Sequence, residues 1–146
     1  MKILFVCTGN SCRSQMAEGW LRELAKQSAD HPDIQIESAG LEAHGLNPQA
    51  VAAMAGHGVD ISAQSSDVLT DAMLARSDLV VTVCGHADNN CPILPAGVCK
   101  RHIPFDDPAG ASGSPVQIAA TFDRVCLEIR QAMEKLMIRI AEKADV

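Results

Sequence analysis

The five residues Ile3-Leu-Phe-Val-Cys7 form an unbroken apolar run directly after the first lysine. A run without alternation reads as a strand buried on both faces, as strands of a parallel sheet are. It leads through Thr8-Gly9-Asn10 into a stretch from Arg13 to about Gln27, in which Met16, Trp20, Leu21 and Leu24 recur at helical spacing. Strand, tight turn and helix in succession open a βα unit, and such a unit needs helices to cover its sheet.

The rest of the chain repeats this alternation. Ile34 and Ile36 alternate with polar residues from Asp33 to Ser38, and Ala39-Gly40 ends that strand. Asn47-Pro48 reads as a helix start with proline at the first helical position, running to Gly56 or Gly58. A short helix is predicted from Thr70 to Arg76, a second apolar strand from Leu79 to Cys84 and a short fourth strand from His102 to Phe105. Pro115 opens a long last helix whose Ile118, Phe122, Val125, Cys126, Ile129, Met133, Leu136 and Ile140 share one face. The expected fold is α/β: a single doubly wound domain over residues 1–146, with a four-stranded parallel sheet and helices on both faces. Ligands of such sheets sit beyond the carboxyl ends of the strands, where Cys7 and Cys84 both fall.

With 146 residues, 47% of them hydrophobic and 21% charged, the chain can bury a real core. The net charge of −6 argues against a nucleic-acid or anionic-membrane face, so no nucleic acid and no membrane is expected as a partner. An anionic ligand would have to be drawn in by local geometry. No apolar stretch reaches signal-peptide or membrane-spanning length, and the cytoplasm is the expected location. In that reducing compartment the six cysteines are not a structural disulfide framework. Each is a core thiol, a metal ligand or a redox group.

Cys7-Thr-Gly-Asn-Ser-Cys-Arg13-Ser14 lies between the first strand and the first helix. The backbone N–H groups of Thr8, Gly9, Asn10, Ser11 and Cys12 can converge into a nest for an oxyanion, with Gly9 and Asn10 tolerating left-handed conformations. The helix adds its positive end, and Arg13 a planar fork for two oxygens. A cysteine at the base of this cradle feels the same field, which favours its thiolate, and Ser14 can donate a further hydrogen bond to the sulfur. No Gly-Lys-Ser/Thr ending makes this a Walker loop. The plain alternative is a strand-end cysteine beside a surface arginine; the placement between strand and helix argues for the cradle.

A nucleophile that displaces an oxygen needs a proton donor for it. Phe105-Asp106-Asp107-Pro108 follows the fourth strand at the same sheet edge, and Asp107, fixed by the proline, is the acid candidate over Asp106. The pair can equally be a turn former. Cys84 and Cys91 bracket Gly-His-Ala-Asp-Asn-Asn, a polar segment without apolar anchors that can move at low cost, as a thiol relay requires. Two unrelated thiols, or a zinc site of Cys84, His86 and Cys91, are the alternatives. Cys12 can pair with Cys7 or simply pack, the favoured role; Cys99 has no evident partner, and Cys126 belongs to the core face of the last helix.

CTGNSCRSQMAEGW, ESAGLEAHGLNP, SDLVVTVC, DNNCPILP and FDDPAG resemble the thioredoxin-coupled arsenate reductases over residues 2 to about 135. That family shares the fold and loop of the low-molecular-weight protein tyrosine phosphatases. The resemblance implies that Cys7 is the nucleophile, Arg13 the oxyanion-binding arginine, Ser14 the support of the thiolate, Asp107 the general acid, and Cys84 and Cys91 the relay. It implies reduction of arsenate to arsenite for arsenic detoxification, with phosphate or sulfate as competing oxyanions and thioredoxin as reductant; a monomer is the default expectation. No cofactor is required, though some members bind potassium; Asn10, Glu18, Ser38 and Asp67 match its ligands. Gln64 departs from the histidine that accompanies that site in the potassium-responsive members. A tyrosine phosphatase is the rival enzyme, against which stand the absence of tyrosine, the Ala109-Gly110 that follows the acid's proline, and the paired cysteines. A redox or oxyanion sensor is the non-enzymatic rival.

Overall fold

A computed structural model describes residues 1–28 and 33–142. Among them, strands β1 (Lys2–Cys7), β2 (Gln35–Gly40), β3 (Leu79–Thr82) and β4 (Cys99–His102) form one parallel sheet in the order β2-β1-β3-β4. The helices are α1 (Arg13–Gln27), α2 (Pro48–Gly56), α3 (Asp71–Arg76), α4 (Gly85–Asn90) and α5 (Pro115–Ala141). Residues 3–7 and all of β3 are buried, as strands covered on both faces must be. Helices α1 and α5 pack on each other, and α2 packs on α5.

The chain leaves β1 towards β2 and returns past β1 to β3. Connections from β1 and β3 therefore diverge, and a crevice opens between the ends of those two strands. Val83 N–H donates to Val6 O at 3.0 Å, which holds the residues before Cys84 against those before Cys7. Topology alone thus sets the two cysteines at one crevice.

The core face of α5 follows the predicted spacing: Phe122, Val125, Cys126, Ile129, Met133, Leu136 and Ile140 are buried, and Ile118 is half-buried. Ser114 caps this helix reciprocally with Gln117, and Pro115 fills the first turn, where its missing N–H costs nothing. Asn47 and Thr70 cap α2 and α3 through their side chains.

Four boundaries differ from the sequence reading. Strand β2 begins at Gln35 rather than Asp33 and ends at Gly40, where its ladder with β1 closes on the pair Cys7–Gly40. Strand β3 stops at Thr82, and Cys84 caps α4 instead. Strand β4 is Cys99–His102, not His102 to Phe105; as a mostly exposed edge strand it carries no apolar pattern to read. The N–H groups of Ile103 and Phe105 still bond to β3 residues and their neighbours, at Thr82 O and Val83 O. Finally, the segment 85–90 is a helix, anchored by the fully buried Ala87.

Gly40 ends β2 against the cradle. A Cβ there would lie 2.6 Å from Asn10 N and 2.9 Å from Gly9 C, and would also meet Glu42 O. Gly40→Ala should therefore cost about 1–3 kcal/mol in urea unfolding, the range for overpacking against atoms that cannot yield. Gly9→Ala should cost less, since its Cβ would meet only the ring of half-exposed His44, which can swing aside. Equal losses would show that the contact of Gly40 with the cradle backbone is not what demands glycine.

Candidate active site

Every carbonyl of the loop after β1 is turned outward and satisfied. Cys7 O, Thr8 O and Gly9 O accept from Leu41, Glu42 and His44 N–H at 3.2, 2.9 and 2.9 Å. Ser11 O and Cys12 O accept from Asn47 and Met16 N–H at 3.1 and 2.9 Å. Asn10 O accepts from the Gln15 side chain at 3.0 Å. The backbone N–H groups of residues 8–13 find no acceptor among the described residues. Peptide groups whose oxygens face out turn their N–H groups to the other side, which makes the anion-binding nest. Helix α1 follows with no side-chain cap at Cys12, so its positive end is open to the same concavity. Asn10 takes the left-handed turn, at φ 46°; Gly9 does not, and only the His44 ring lies where its Cβ would be.

Behind the nest runs a buried polar chain. Asp67 N–H donates to Asn10 Oδ1 at 2.8 Å, which orients the amide. The Asn10 Nδ2 hydrogens then go to Ser14 Oγ at 2.8 Å and Ser38 Oγ at 3.0 Å. Ser14 Oγ, which accepts from Asn10, lies 2.7 Å from Cys7 Sγ. Donation of the Ser14 proton to the sulfur would suit a thiolate nucleophile. Ser38 donates to Glu18 Oε1 at 2.6 Å, and Arg22 Nη2 lies 2.8 Å from Glu18 Oε2. Burial pushes the Glu18 carboxyl above its ordinary value, opposed by Ser38 and Arg22.

Cys7, Thr8, Gly9, Ser11, Cys12, Arg13, His44, Asp107 and Ala109 line one cavity of ≈ 210 Å³. Arg13 is the first residue of α1; its Nη1 donates to Phe105 O at 3.3 Å and its Nη2 lies 3.6 Å from Asp107 Oδ2. Asp107 caps the turn Pro108–Gly110 with Oδ1 on Ala109 N–H at 3.0 Å. That leaves Oδ2 toward the cavity. Asp106 instead faces Arg124 of α5 at 3.4 Å. The two adjacent carboxylates, alike in sequence, thus differ in direction. His44 is the lining residue the sequence reading missed; nothing in its spacing sets it apart from a loop histidine. Phe5, Trp20 and Phe122 are buried in the core, and no Phe or Trp lines the cavity.

Cys84 Sγ lies 3.4 Å from Thr8 Oγ1 and accepts from Ala87 N–H at 3.3 Å. Cys84 and Cys91 are the two caps of α4. Seven residues at about 1.5 Å each put them about 10 Å apart along the helix axis, whereas a disulfide needs Cα atoms about 4.4–6.8 Å apart. The segment is ordered, and joining its ends requires α4 to unwind. Burial pushes the Cys91 thiol above its ordinary value, with Lys100 opposing and Asp88 adding. His86 bonds with Asn90, and no three candidate metal ligands cluster among the described residues, so the zinc alternative is not assembled. Cys126 is fully buried beside Met54, and Cys99 is exposed on the edge strand.

The four residues read as potassium ligands are linked through Asn10 and Ser38, and each already has a protein partner. Asn10 Oδ1 holds the Asp67 N–H, Ser38 Oγ is taken on both sides, and the Asp67 carboxylate accepts from Ser65 at 2.6 Å. The Arg22 guanidinium already supplies the positive charge against Glu18, and Gln64 Oε1 accepts from it at 3.4 Å. As arranged, these residues do not fit a bound potassium ion.

The sequence model of the low molecular weight phosphotyrosine protein phosphatase family matches residues 2–146. The chain is 50% identical to an arsenate reductase of Staphylococcus aureus (strain N315) over 137 residues, 94% of this chain and 96% of that protein. It is 49% identical to an arsenate reductase of Staphylococcus xylosus over the same shares. A solved structure described as an arsenate reductase in the phosphate binding state superposes with a TM-score of 0.75 at 32% identity, covering 95% of this chain and 98% of that one. A low molecular weight protein tyrosine phosphatase from T. tengcongensis gives a TM-score of 0.79 at 26% identity, covering 95% and 99%.

Burial pushes the Cys12 thiol up to about 11, with Ser11 opposing. The folded state thus holds this proton more tightly than the unfolded chain, whose ordinary value is 9.0. The associated stability is fully present below that value and is lost as pH rises from 9.0 to about 11. Any stability advantage of the wild type over Cys12→Ala in urea should therefore shrink across that interval. A difference independent of pH would leave Cys12 unburied in solution.

Proposed function

The chain belongs to the low molecular weight phosphotyrosine protein phosphatase family, and from that premise we propose that it is a thioredoxin-coupled arsenate reductase. One observation carries the choice within the family. A second thiol, Cys84, stands 3.4 Å from Thr8 at the cradle, with Cys91 at the other end of the same short helix. Hydrolysis of a phosphate ester has no use for either. The identities with staphylococcal arsenate reductases support the same reading.

In the proposed reaction the nest and Arg13 hold arsenate, and Cys7 attacks arsenic. Asp107 protonates the departing hydroxide, leaving arsenic bonded to the Cys7 sulfur. Cys84 thiolate then attacks that sulfur; the sulfur–arsenic pair leaves with arsenic, which departs as arsenite. Cys91 thiolate attacks Cys84 Sγ, closing Cys84–Cys91 and returning Cys7 as thiolate. Two electrons from the dithiol of thioredoxin reopen that disulfide by thiol exchange. The reading needs no metal ion, and takes residues 1–146 as one domain acting as a monomer in the cytoplasm. Phosphate and sulfate fit the same cradle as competitors. A cavity with no Phe or Trp lining it supports only weak hydrolysis of aryl phosphates.

Arsenite formation from arsenate with thioredoxin, thioredoxin reductase and NADPH tests this reading directly. It should exceed formation with glutaredoxin and glutathione; the reverse would assign another electron donor. Cys7→Ser should abolish turnover, and Asp107→Asn should slow it by about 10²–10⁴-fold, the range for loss of a general acid, with Asp106→Asn far milder. Cys91→Ser should release one arsenite per enzyme and stall as a Cys7–Cys84 disulfide, while Cys84→Ser should release none without added thiol. Peptide mapping that found Cys7–Cys12 as the main product of a single turnover would overturn the order of steps.

A further inference from the structure

Helix α4 is too short to hold itself together. Isolated helices below about 12–15 residues are marginal in water, and α4 has six. What keeps it folded must come from outside its own ladder. Three contacts do: the Cys84 cap at its start, the buried Ala87, and the side chain of Asp88.

Asp88 is held from two strands. Thr82 Oγ1 of β3 donates to Asp88 Oδ1 at 3.0 Å. Lys100 Nζ of β4 lies 2.7 Å from the same oxygen and donates to Asp88 O at 3.3 Å. The same hydroxyl lies 3.4 Å from Arg101 O and 2.9 Å from His102 Nδ1, so the carboxylate, as the charged acceptor, is the strongest of its partners. Thr82 is fully buried, and the side chains of Asp88 and Lys100 are 28% and 34% exposed. Lys100 and Thr82 also hold the Asp88 carboxyl below its ordinary value.

We infer that Asp88, gripped by Thr82 and Lys100, is a positioning residue that latches α4 to the sheet and so sets how readily the Cys84–Cys91 disulfide forms. The inference rests on the relay reading above. Closing Cys84–Cys91 unwinds α4, which carries Asp88 away from Thr82 and Lys100. The latch therefore stabilises the dithiol over the disulfide. Releasing it should favour the disulfide and lower the reduction potential of the pair. A pair that is too stable as a disulfide would be slow to give its oxidation to the reductant; one that is too stable as a dithiol would be slow to free Cys7. The latch sits between these failures.

The test uses the full chain with Cys7→Ser, which leaves Cys84 and Cys91 as the pair under study, equilibrated with reduced and oxidised dithiothreitol and read by peptide mapping. Adding Asp88→Asn should shift the equilibrium about tenfold towards the Cys84–Cys91 disulfide, about 30 mV for a two-electron couple. Thr82→Val and Lys100→Met should shift it the same way. Asp88→Asn combined with Lys100→Met should shift it by less than the sum, because they share one contact. In the reduced protein, amides of residues 88–91 should exchange faster in Asp88→Asn while those of β1 and β3 stay unchanged. An unaltered potential in all three variants, with the disulfide forming normally in the parent, would overturn the latch. Failure of the parent to form Cys84–Cys91 at all would instead overturn the relay.

Discussion

The outward rotation of six consecutive carbonyls, from Cys7 to Cys12, is what the rest of the site depends on. Backbone oxygens in a tight turn would otherwise face the concavity and repel an anion. Here the segment after β2 supplies four of the six donors, from Leu41, Glu42, His44 and Asn47, while Gln15 and Met16 of α1 supply the others. Because β2 ends on Gly40 directly beside the loop, the donors arrive in register with the carbonyls. The sheet therefore does more than support the nest. Its β1–β2 ladder dictates which way the peptide groups of the next turn can point.

Asn10 ties this backbone device to the chemistry of Cys7. Its side chain is fully buried, its oxygen is fixed by a backbone N–H, and both its hydrogens are spent on serines. A buried amide left half-satisfied would be costly, so this one enforces a single proton arrangement. The Ser14 hydroxyl that accepts from it lies 2.7 Å from the Cys7 sulfur, so the network reaches that thiol directly. Glu18 and Arg22 close the far end of the chain and neutralise each other, which lets a polar network lie under an anion site without adding a bare negative charge there.

What could be read in the sequence, and what could not, follows from where each signal resides. The βα unit, the parallel sheet and the core face of α5 are written in apolar periodicity, and the C-x5-R-S loop in local residue types. The edge strand β4 has no such pattern because most of it is exposed, and it lies three residues before the position the sequence suggests. Helix α4 gives no apolar signal because its single buried anchor is an alanine, which carries little hydrophobic weight. His44 reaches the cavity only because the 41–47 segment is laid along the cradle, a tertiary fact. That Asp107 rather than Asp106 lines the cavity is legible through Pro108, which starts the turn that Asp107 caps.

The same sheet must satisfy two opposed demands. A cradle that recognises a tetrahedral oxyanion must keep its donors in place between turnovers, and burial on both faces of β1 provides that rigidity. The proposed relay, whose two thiols cap opposite ends of a helix, would instead break structure each time it closes. The fold separates these demands by element: the cradle grows directly out of β1, while α4 follows β3 in the chain and packs on β1 and β3 as a short, separate piece. Few buried contacts bind that element, so it can open locally without the centre yielding. Cys84 belongs to both parts, touching Thr8 of the cradle and capping α4. In the proposed relay it is therefore the point at which chemistry at a rigid site passes to a helix that must come apart.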